Sequence, residues 1–154
     1  MISLDDMRQM KCLSLLSDEH LELLRNACET VVFEKGAYVQ KENDIAREIF
    51  IVLEGRVAIE IVLPHDRKVG IFIVEPGDLF GWSTVVPPHI ITASSLCLEN
   101  TTMLQISRDR LYELFDKNAT LKAAFFEMIA QVIRGRLVDT RTQLTYLLGW
   151  EINV

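Results

Sequence analysis

The feature that most constrains the fold is a series of short strand patterns between residues 31 and 106. Apolar and polar residues alternate there with a period of two, and turn residues separate the runs at nearly regular intervals. Short strands at this spacing are typical of an antiparallel sandwich or barrel. The predicted strands are 31–34, 38–41, 48–53, 56–63, 67–74, 92–98 and 101–106.

Helical patterns lie on both sides of these strands. Residues 2–16 predict a short irregular helix, and Ser17 predicts the N-cap of a second one. After the last strand, Ser107 or Asp109 is expected to cap a short helix. A much longer helix follows, so we divide the chain into a β domain with its flanking helices, residues 1–117, and a long helix, residues 118–150.

The long helix carries two apolar stripes. One of them, which we call the second stripe, consists of Leu121, Phe125, Met128 and Val132. Two stripes predict that one packs on the β domain and the other on a second copy of the chain, although both could pack within one chain. Gly135 weakens the helix interior and could allow a bend. The first stripe has the spacing of a coiled-coil seam and consists of Phe126, Ile129, Ile133, Leu137, Thr140, Leu144 and Leu147.

Charge and cysteine content indicate the class of protein. The net charge of −6 argues against a nucleic-acid-binding surface, which would be basic. Three cysteines without a C-x-x-C spacing indicate free thiols in a reducing compartment. The sequence shows no signal peptide and no apolar run long enough to span a membrane. We therefore expect a soluble cytoplasmic protein that contacts neither nucleic acid nor membrane.

Residues 75–98 contain the most informative motif. A Pro-Gly turn signal at 76–77 comes first, and Gly81 then allows close backbone approach or a positive φ. Residues 82–86 could form one helical turn, whose free N–H groups would attract an anion. The double proline at 87–88 ends that turn because proline has no N–H to donate.

This motif resembles the phosphate-binding cassette of the cyclic-nucleotide-binding domains, as in the catabolite activator and fumarate-nitrate regulator family. Further family-like motifs at 42–44, 49–57 and 76–78 occur in the same order, so the resemblance extends over residues 13–107. Asn43 replaces a family glycine but tolerates the same left-handed backbone. The resemblance implies a double-stranded β-helix (jelly-roll) barrel with N-terminal helices and a long C-terminal dimerisation helix.

The cassette departs from the family where its chemistry is concentrated. In the family, a glutamate after the glycine accepts from the ribose hydroxyl, and an arginine pairs with the cyclic phosphate. Trp82 and Ile91 occupy these two positions here, and isoleucine offers no donor. A cyclic nucleotide or another small anion is implied, but not in the usual cyclic AMP mode. The resemblance implies a ligand site at Gly81, Trp82, Ser83, Ile91, Thr92, Ala93 and Thr140.

Four functions compete. The first is a regulatory sensor that binds a small ligand and signals through a helix-mediated dimer, and its strongest rival is a degenerate module that binds nothing. A haem or metal gas sensor would use His89 and Cys97, with His65 as a distant third candidate. An enzyme is not expected, because no nucleophile–base pair is visible and the three histidines are scattered. We predict no metal site and no catalytic residue.

Regulators of the resembled family continue from the long helix into a helix-turn-helix domain. No such pattern follows residue 150 in this sequence. The chain is therefore either a stand-alone sensor module or the effector domain of a longer regulator, and the sequence leaves both open.

Overall fold

A computed structural model describes residues 1–153 and contains eight strands and four helices. Short 3₁₀ turns lie at Lys11–Leu13, Pro64–Asp66 and Trp82–Thr84. The helices are α1 (Leu4–Arg8), α2 (Asp18–Ala27), α3 (Arg108–Lys117) and α4 (Ala119–Leu148). The strands are β1 (Glu29–Phe33), β2 (Tyr38–Gln40), β3 (Glu48–Glu54), β4 (Val57–Leu63), β5 (Arg67–Val74), β6 (Leu79–Phe80), β7 (Ser94–Cys97) and β8 (Thr101–Ser107).

The strands form two four-stranded antiparallel sheets. Their orders are β1-β8-β3-β6 and β2-β7-β4-β5, so strands distant in sequence pair within each sheet. This arrangement confirms the predicted jelly-roll barrel with N-terminal helices and a long C-terminal helix. The sequence pattern missed β6, because a strand of two residues is too short to show a period.

Strand β3 separates two apolar cores. Ile49 and Ile51 face the helices, whereas Phe50 and Val52 face the barrel interior. Successive side chains of a strand point to opposite faces, so a strand buried on both faces appears in the sequence as one continuous apolar run. Inside the barrel, the ring of Phe50 stacks on that of Phe80 with centroids 5.2 Å apart.

The first half of α4 belongs to the helix-facing core. Leu121, Phe125 and Met128, from the second predicted stripe, are buried there, and Val132 packs against them. The ring of Phe125 lies 5.3 Å from that of Phe115 on α3, centroid to centroid. This stripe therefore fixes α4 to the β domain through apolar contacts.

Caps fix the ends of the shorter helices. The Ser17 hydroxyl accepts from the His20 N–H, and the Ser107 hydroxyl accepts from the Arg110 N–H, so both are N-caps. Asn118 leaves α4 uncapped and instead donates its side-chain N–H to the Leu114 carbonyl, 3.0 Å away, at the end of α3. No helix within residues 1–153 is long and apolar enough to cross a membrane.

Candidate functional site

Gly81 joins β6 to the following turn and lies close to the backbone of β3. Its φ is +87°, and a Cβ built on it would lie 2.9 Å from the Glu48 carbonyl oxygen and 3.1 Å from Oε1 of Gln40. Only glycine fits such a position without strain. The predicted turn over 82–86 is shorter in the structure, a 3₁₀ turn of three residues, Trp82–Thr84.

Hydrogen bonds hold this turn on β3. The Thr84 hydroxyl donates to the Glu48 carbonyl at 2.8 Å, and Nε2 of Gln40 donates to the same oxygen at 3.0 Å. Thr84 is fully buried. The Thr84 N–H closes the turn on the Gly81 carbonyl at 3.1 Å. The cassette therefore has a fixed position relative to the barrel.

The segment after the double proline is tied to the loop before β3. The backbone N–H of Ile91 donates to the Asp44 carbonyl at 2.8 Å, and its carbonyl accepts from the Asn43 N–H at 2.8 Å. Asn43 has a φ of 74°, the left-handed conformation expected from the sequence. Ile91 is only 4% exposed, because its side chain points into the protein.

The structure brings all seven predicted site residues to one cavity of about 370 Å³ between the barrel and α4. We call it the barrel–helix cavity. Trp82 and Ile91 line the space without filling it. Its volume lies within the ordinary range of small-molecule sites, roughly 300–1,000 Å³. Its lining is Gln40, Ile59, Ile71, Phe72, Phe80, Gly81, Trp82, Ser83, Ile91, Thr92, Ala93, Ile133, Arg136, Leu137 and Thr140.

Polar groups on two sides of the cavity have different capacities. Thr140 donates its hydroxyl proton to the Arg136 carbonyl at 2.8 Å, so towards the cavity that oxygen can only accept. Ser83 and Thr92 contribute two further hydroxyl groups from the cassette. Thr140 can therefore offer only a hydrogen-bond acceptor to a molecule in the cavity.

Arg136 is the cavity residue that sequence reasoning missed. It is the only charged side chain in the lining described above, and its Cζ lies 4.2 Å from the centroid of the Phe72 ring, over its face. Arg136 lies three residues after Ile133 and four before Thr140, which places all three on one helix face. That spacing is the sequence signal that indicates a cation beside the predicted site residue Thr140.

The metal-ligand candidates from the sequence lie outside this cavity. The His89 ring donates from Nδ1 to the Ser83 carbonyl at 3.0 Å, since a carbonyl can only accept. Cys97 is buried in the barrel core, and burial raises the pKa of its thiol. His65 lies exposed in the turn between β4 and β5. Within residues 1–153, no three His, Cys, Asp or Glu side chains are grouped to hold a metal.

A second opening of about 320 Å³ adjoins the first on the other side of Arg136. Asp78 and Asp139 line it, together with Lys11 and Cys12 from the first 3₁₀ turn. Burial, assisted by the negative charge of Asp78, raises the pKa of the Cys12 thiol to about 12. Cys12 is therefore a protonated thiol at neutral pH, and an unreactive one.

Comparisons with known proteins agree with this architecture. A solved protein from Geobacter metallireducens GS-15 that is named for cyclic nucleotide binding is 27% identical, has a TM-score of 0.78, and is matched over 89% of this chain and 99% of its own. A cyclic nucleotide-binding domain from Methylobacillus flagellatus KT is 19% identical with a TM-score of 0.83, over 97% of this chain and 84% of its own. The latter similarity shows the fold alone.

A curated relative gives a view of the longer chains in this group. The CRP-like cAMP-activated global transcriptional regulator of Mycobacterium tuberculosis is 23% identical over 129 residues, which are 84% of this chain and 56% of the relative. The chain thus spans about half the length of the curated relatives it matches. The sequence model of the family described as cyclic nucleotide-binding domain matches residues 30–118, more than half of the chain. The chain therefore belongs to the cyclic nucleotide-binding domain family.

Proposed function

We propose that this chain is a regulatory domain that binds a small ligand in the barrel–helix cavity and signals through a dimer formed by α4. The observation that carries the proposal is the cavity itself. Cassette residues and the α4 residue Thr140, named from the sequence as one site, line a single space of about 370 Å³. A ligand there would contact both the rigid cassette and the signalling helix.

The open space favours binding over the rival in which the module binds nothing. That rival requires the side chains of Trp82 and Ile91 to fill the space in which the family binds its nucleotide. Both side chains instead lie at the cavity wall, and Gln40, Ser83 and Thr92 add polar groups to it. An apolar site with a few polar groups is the usual character of a small-molecule pocket.

The usual cyclic AMP mode is not supported by the cassette. Its family arginine would form a paired, charge-assisted contact with the cyclic phosphate, and Ile91 has no donor. Trp82 likewise cannot accept from a ribose hydroxyl, because its indole nitrogen only donates. We therefore propose that cyclic AMP binds weakly or not at all and that another small ligand is the effector.

The dimer proposal rests on the outer half of α4. The first predicted stripe is buried at Ile129, but Leu137, Leu144 and Leu147 are 66%, 50% and 80% exposed. A seam of leucines left in water is stabilised by packing on an equivalent seam, since each buried leucine contributes roughly 1.5–3 kcal/mol. A second copy of this chain supplies that surface with the same spacing.

The test compares the wild type with Ala93→Phe, which places an aromatic ring in the barrel–helix cavity. Isothermal titration with cyclic AMP, cyclic GMP and cyclic dinucleotides is combined with native mass spectrometry of the purified protein for a co-purified small molecule. We expect a bound compound in the wild type that is absent from Ala93→Phe, together with weak cyclic AMP binding. The same absence of ligand from both proteins would favour the non-binding module.

A further inference from the structure

The barrel–helix cavity holds an unpaired positive charge. No carboxylate is present among its lining residues, and none of the five ion pairs within residues 1–153 involves Arg136. Arg136 is half-buried, so its charge is only partly hydrated. A partly desolvated guanidinium without a counter-charge favours the approach of an anion.

Phe72 positions this guanidinium without using its hydrogen-bonding capacity. An aromatic face attracts the cation through its quadrupole and accepts no ordinary N–H···O bond, so the five N–H donors of Arg136 remain available. Phe72 lies on β5, where the neighbouring Ile71 carbonyl accepts from Nε2 of Gln143 at 2.9 Å. Two adjacent β5 residues thus contact α4 on either side of Thr140.

The barrel side of the cavity carries no charge and is mainly apolar, with one amide and two hydroxyl groups as its polar part. Trp82 and Ile91 occupy the cassette positions from which the protein would offer an acceptor and a donor to a nucleotide. Phe80 and Ile59 of the barrel core also line the cavity. This side offers aromatic and branched surface to the body of a ligand but no cation to its charged group. The cavity is therefore polarised, with its cation on α4 and its aromatic surface on the barrel.

From this polarity we infer that the ligand is a small organic anion with a flat apolar body. Its carboxylate, sulfonate or phosphate group contacts Arg136, and its body lies against Trp82 and Ile91. The inference rests on the proposed ligand-binding function and specifies the chemistry of that same site. The anionic group lies at α4 rather than at the cassette, so ligand charge acts directly on the signalling helix.

The adjoining opening contains carboxylates, but they do not neutralise Arg136. Asp139 and Asp78 line it beside Arg136, yet neither forms an ion pair with the guanidinium. Arg136 thus lies between an opening with carboxylates and a cavity without any. A bound organic anion provides the acceptor that the protein's own carboxylates do not.

Two matched fluorescent probes test the inference on the intact chain. 1-Anilinonaphthalene-8-sulfonate is a flat aromatic anion, and N-phenyl-1-naphthylamine is the same body without the sulfonate. Fluorescence titration is performed on wild type, Arg136→Gln, Arg136→Lys and Ala93→Phe. Arg134→Gln serves as the matched control, because Arg134 is exposed on the same helix and lies outside the cavity lining.

We expect Arg136→Gln to weaken binding of the sulfonate probe about 10- to 100-fold, since charge-assisted hydrogen bonds are lost. Binding of the neutral probe should change less than about 2-fold, because its apolar contacts remain. Arg136→Lys should fall between wild type and Arg136→Gln for the anion, since it keeps the charge but loses the fork of donors. Arg134→Gln should match the wild type with both probes.

The outcomes separate this inference from the proposed function. Equal losses for both probes in Arg136→Gln, or no loss for either, would overturn the assignment of an anion to Arg136 while leaving a binding cavity. Ala93→Phe should abolish binding of both probes. Unchanged binding in Ala93→Phe, or no binding to the wild type, would instead contradict ligand binding in the cavity and the proposed function with it.

Discussion

The two halves of α4 lie in different environments. Residues 119–133 insert Leu121, Phe125 and Met128 into the helix-facing core, which also contains side chains of α3, the N-terminal helices and the first sheet. Residues 134–148 contribute no buried side chain, and they touch the barrel through Arg136 on Phe72 and Gln143 on the Ile71 carbonyl. One continuous helix thus joins a half that is packed in the apolar core to a half with few contacts.

This difference indicates which part of the helix can respond to a ligand. Segments with few buried apolar contacts open at low free energy, whereas core segments open only with global unfolding. The barrel–helix cavity is lined by the second half, through Arg136, Leu137 and Thr140, and by Ile133 at the junction. A ligand can shift only an element that has two accessible arrangements with different affinities for it.

The largest expected effect is a loss of stability when the packing of the first half of α4 is disrupted. Phe125→Ala removes a fully buried ring that contacts Phe115, and such truncations cost about 3–5 kcal/mol of unfolding free energy. Tyr146→Ala, on the second half, removes a ring that is exposed in the single chain, so the change should stay within about 0.5 kcal/mol. Urea unfolding of both variants measures the contrast. Similar losses for both would show that the halves do not differ in stability.

The next effect concerns the proposed dimer. Leu137→Glu combined with Leu144→Glu should raise the dimer dissociation constant more than about 100-fold, because it buries unpaired charges in an apolar seam. Both leucines are exposed in the single chain, so the β domain should remain folded. Thr142→Glu with Thr145→Glu adds the same charge on exposed positions outside the seam and should leave the dimer intact. Sedimentation velocity distinguishes the two, and an intact dimer for the leucine variant would refute the seam.

The fold could be predicted largely from the sequence because its signals are local. Strand periodicity located seven of the eight strands, and caps such as Ser17 and Ser107 are visible as single residues. The pairing of β1 with β8 joins strands from the two ends of the β domain, and no local pattern predicted it. The predicted strand from Thr92 begins at Ser94 in the structure, because Ile91 is instead tied to the loop at residues 43–44.

The site was less predictable, for a physical reason. The cassette residues follow one another in the chain, so a motif could identify them. Arg136 joins them only because α4 passes over β5 and places its guanidinium on Phe72, and no sequence spacing between residues 72 and 136 encodes that contact. Helix spacing can thus place Arg136 on the same face as Thr140, but its contact with the barrel is visible only in the tertiary structure.

A smaller effect should follow from giving the cassette a cation of its own, in addition to Arg136 on the second half of α4. Trp82→Glu with Ile91→Arg supplies the ribose acceptor and phosphate donor that the cassette lacks, so cyclic AMP affinity should rise about 3- to 10-fold. The gain is modest because Ile91 is buried and arginine needs more space. Isothermal titration measures it. Tight cyclic AMP binding by the wild type would show that backbone and hydroxyl groups suffice, and the argument from the missing arginine would fail.

The smallest effect tests the second half of α4 at Gly135. A Cβ added there meets no atom within 4 Å, and glycine in a helix interior costs about 0.8–1.0 kcal/mol relative to alanine. Gly135→Ala should therefore slow amide hydrogen exchange in residues 134–148 while leaving residues 119–133 unchanged, since the first half opens only with global unfolding. If the second half of α4 changes arrangement on ligand binding, Gly135→Ala should also shift probe affinity in the barrel–helix cavity. Slower exchange without any change in affinity would mean that the cavity binds its ligand without using the helix as a switch.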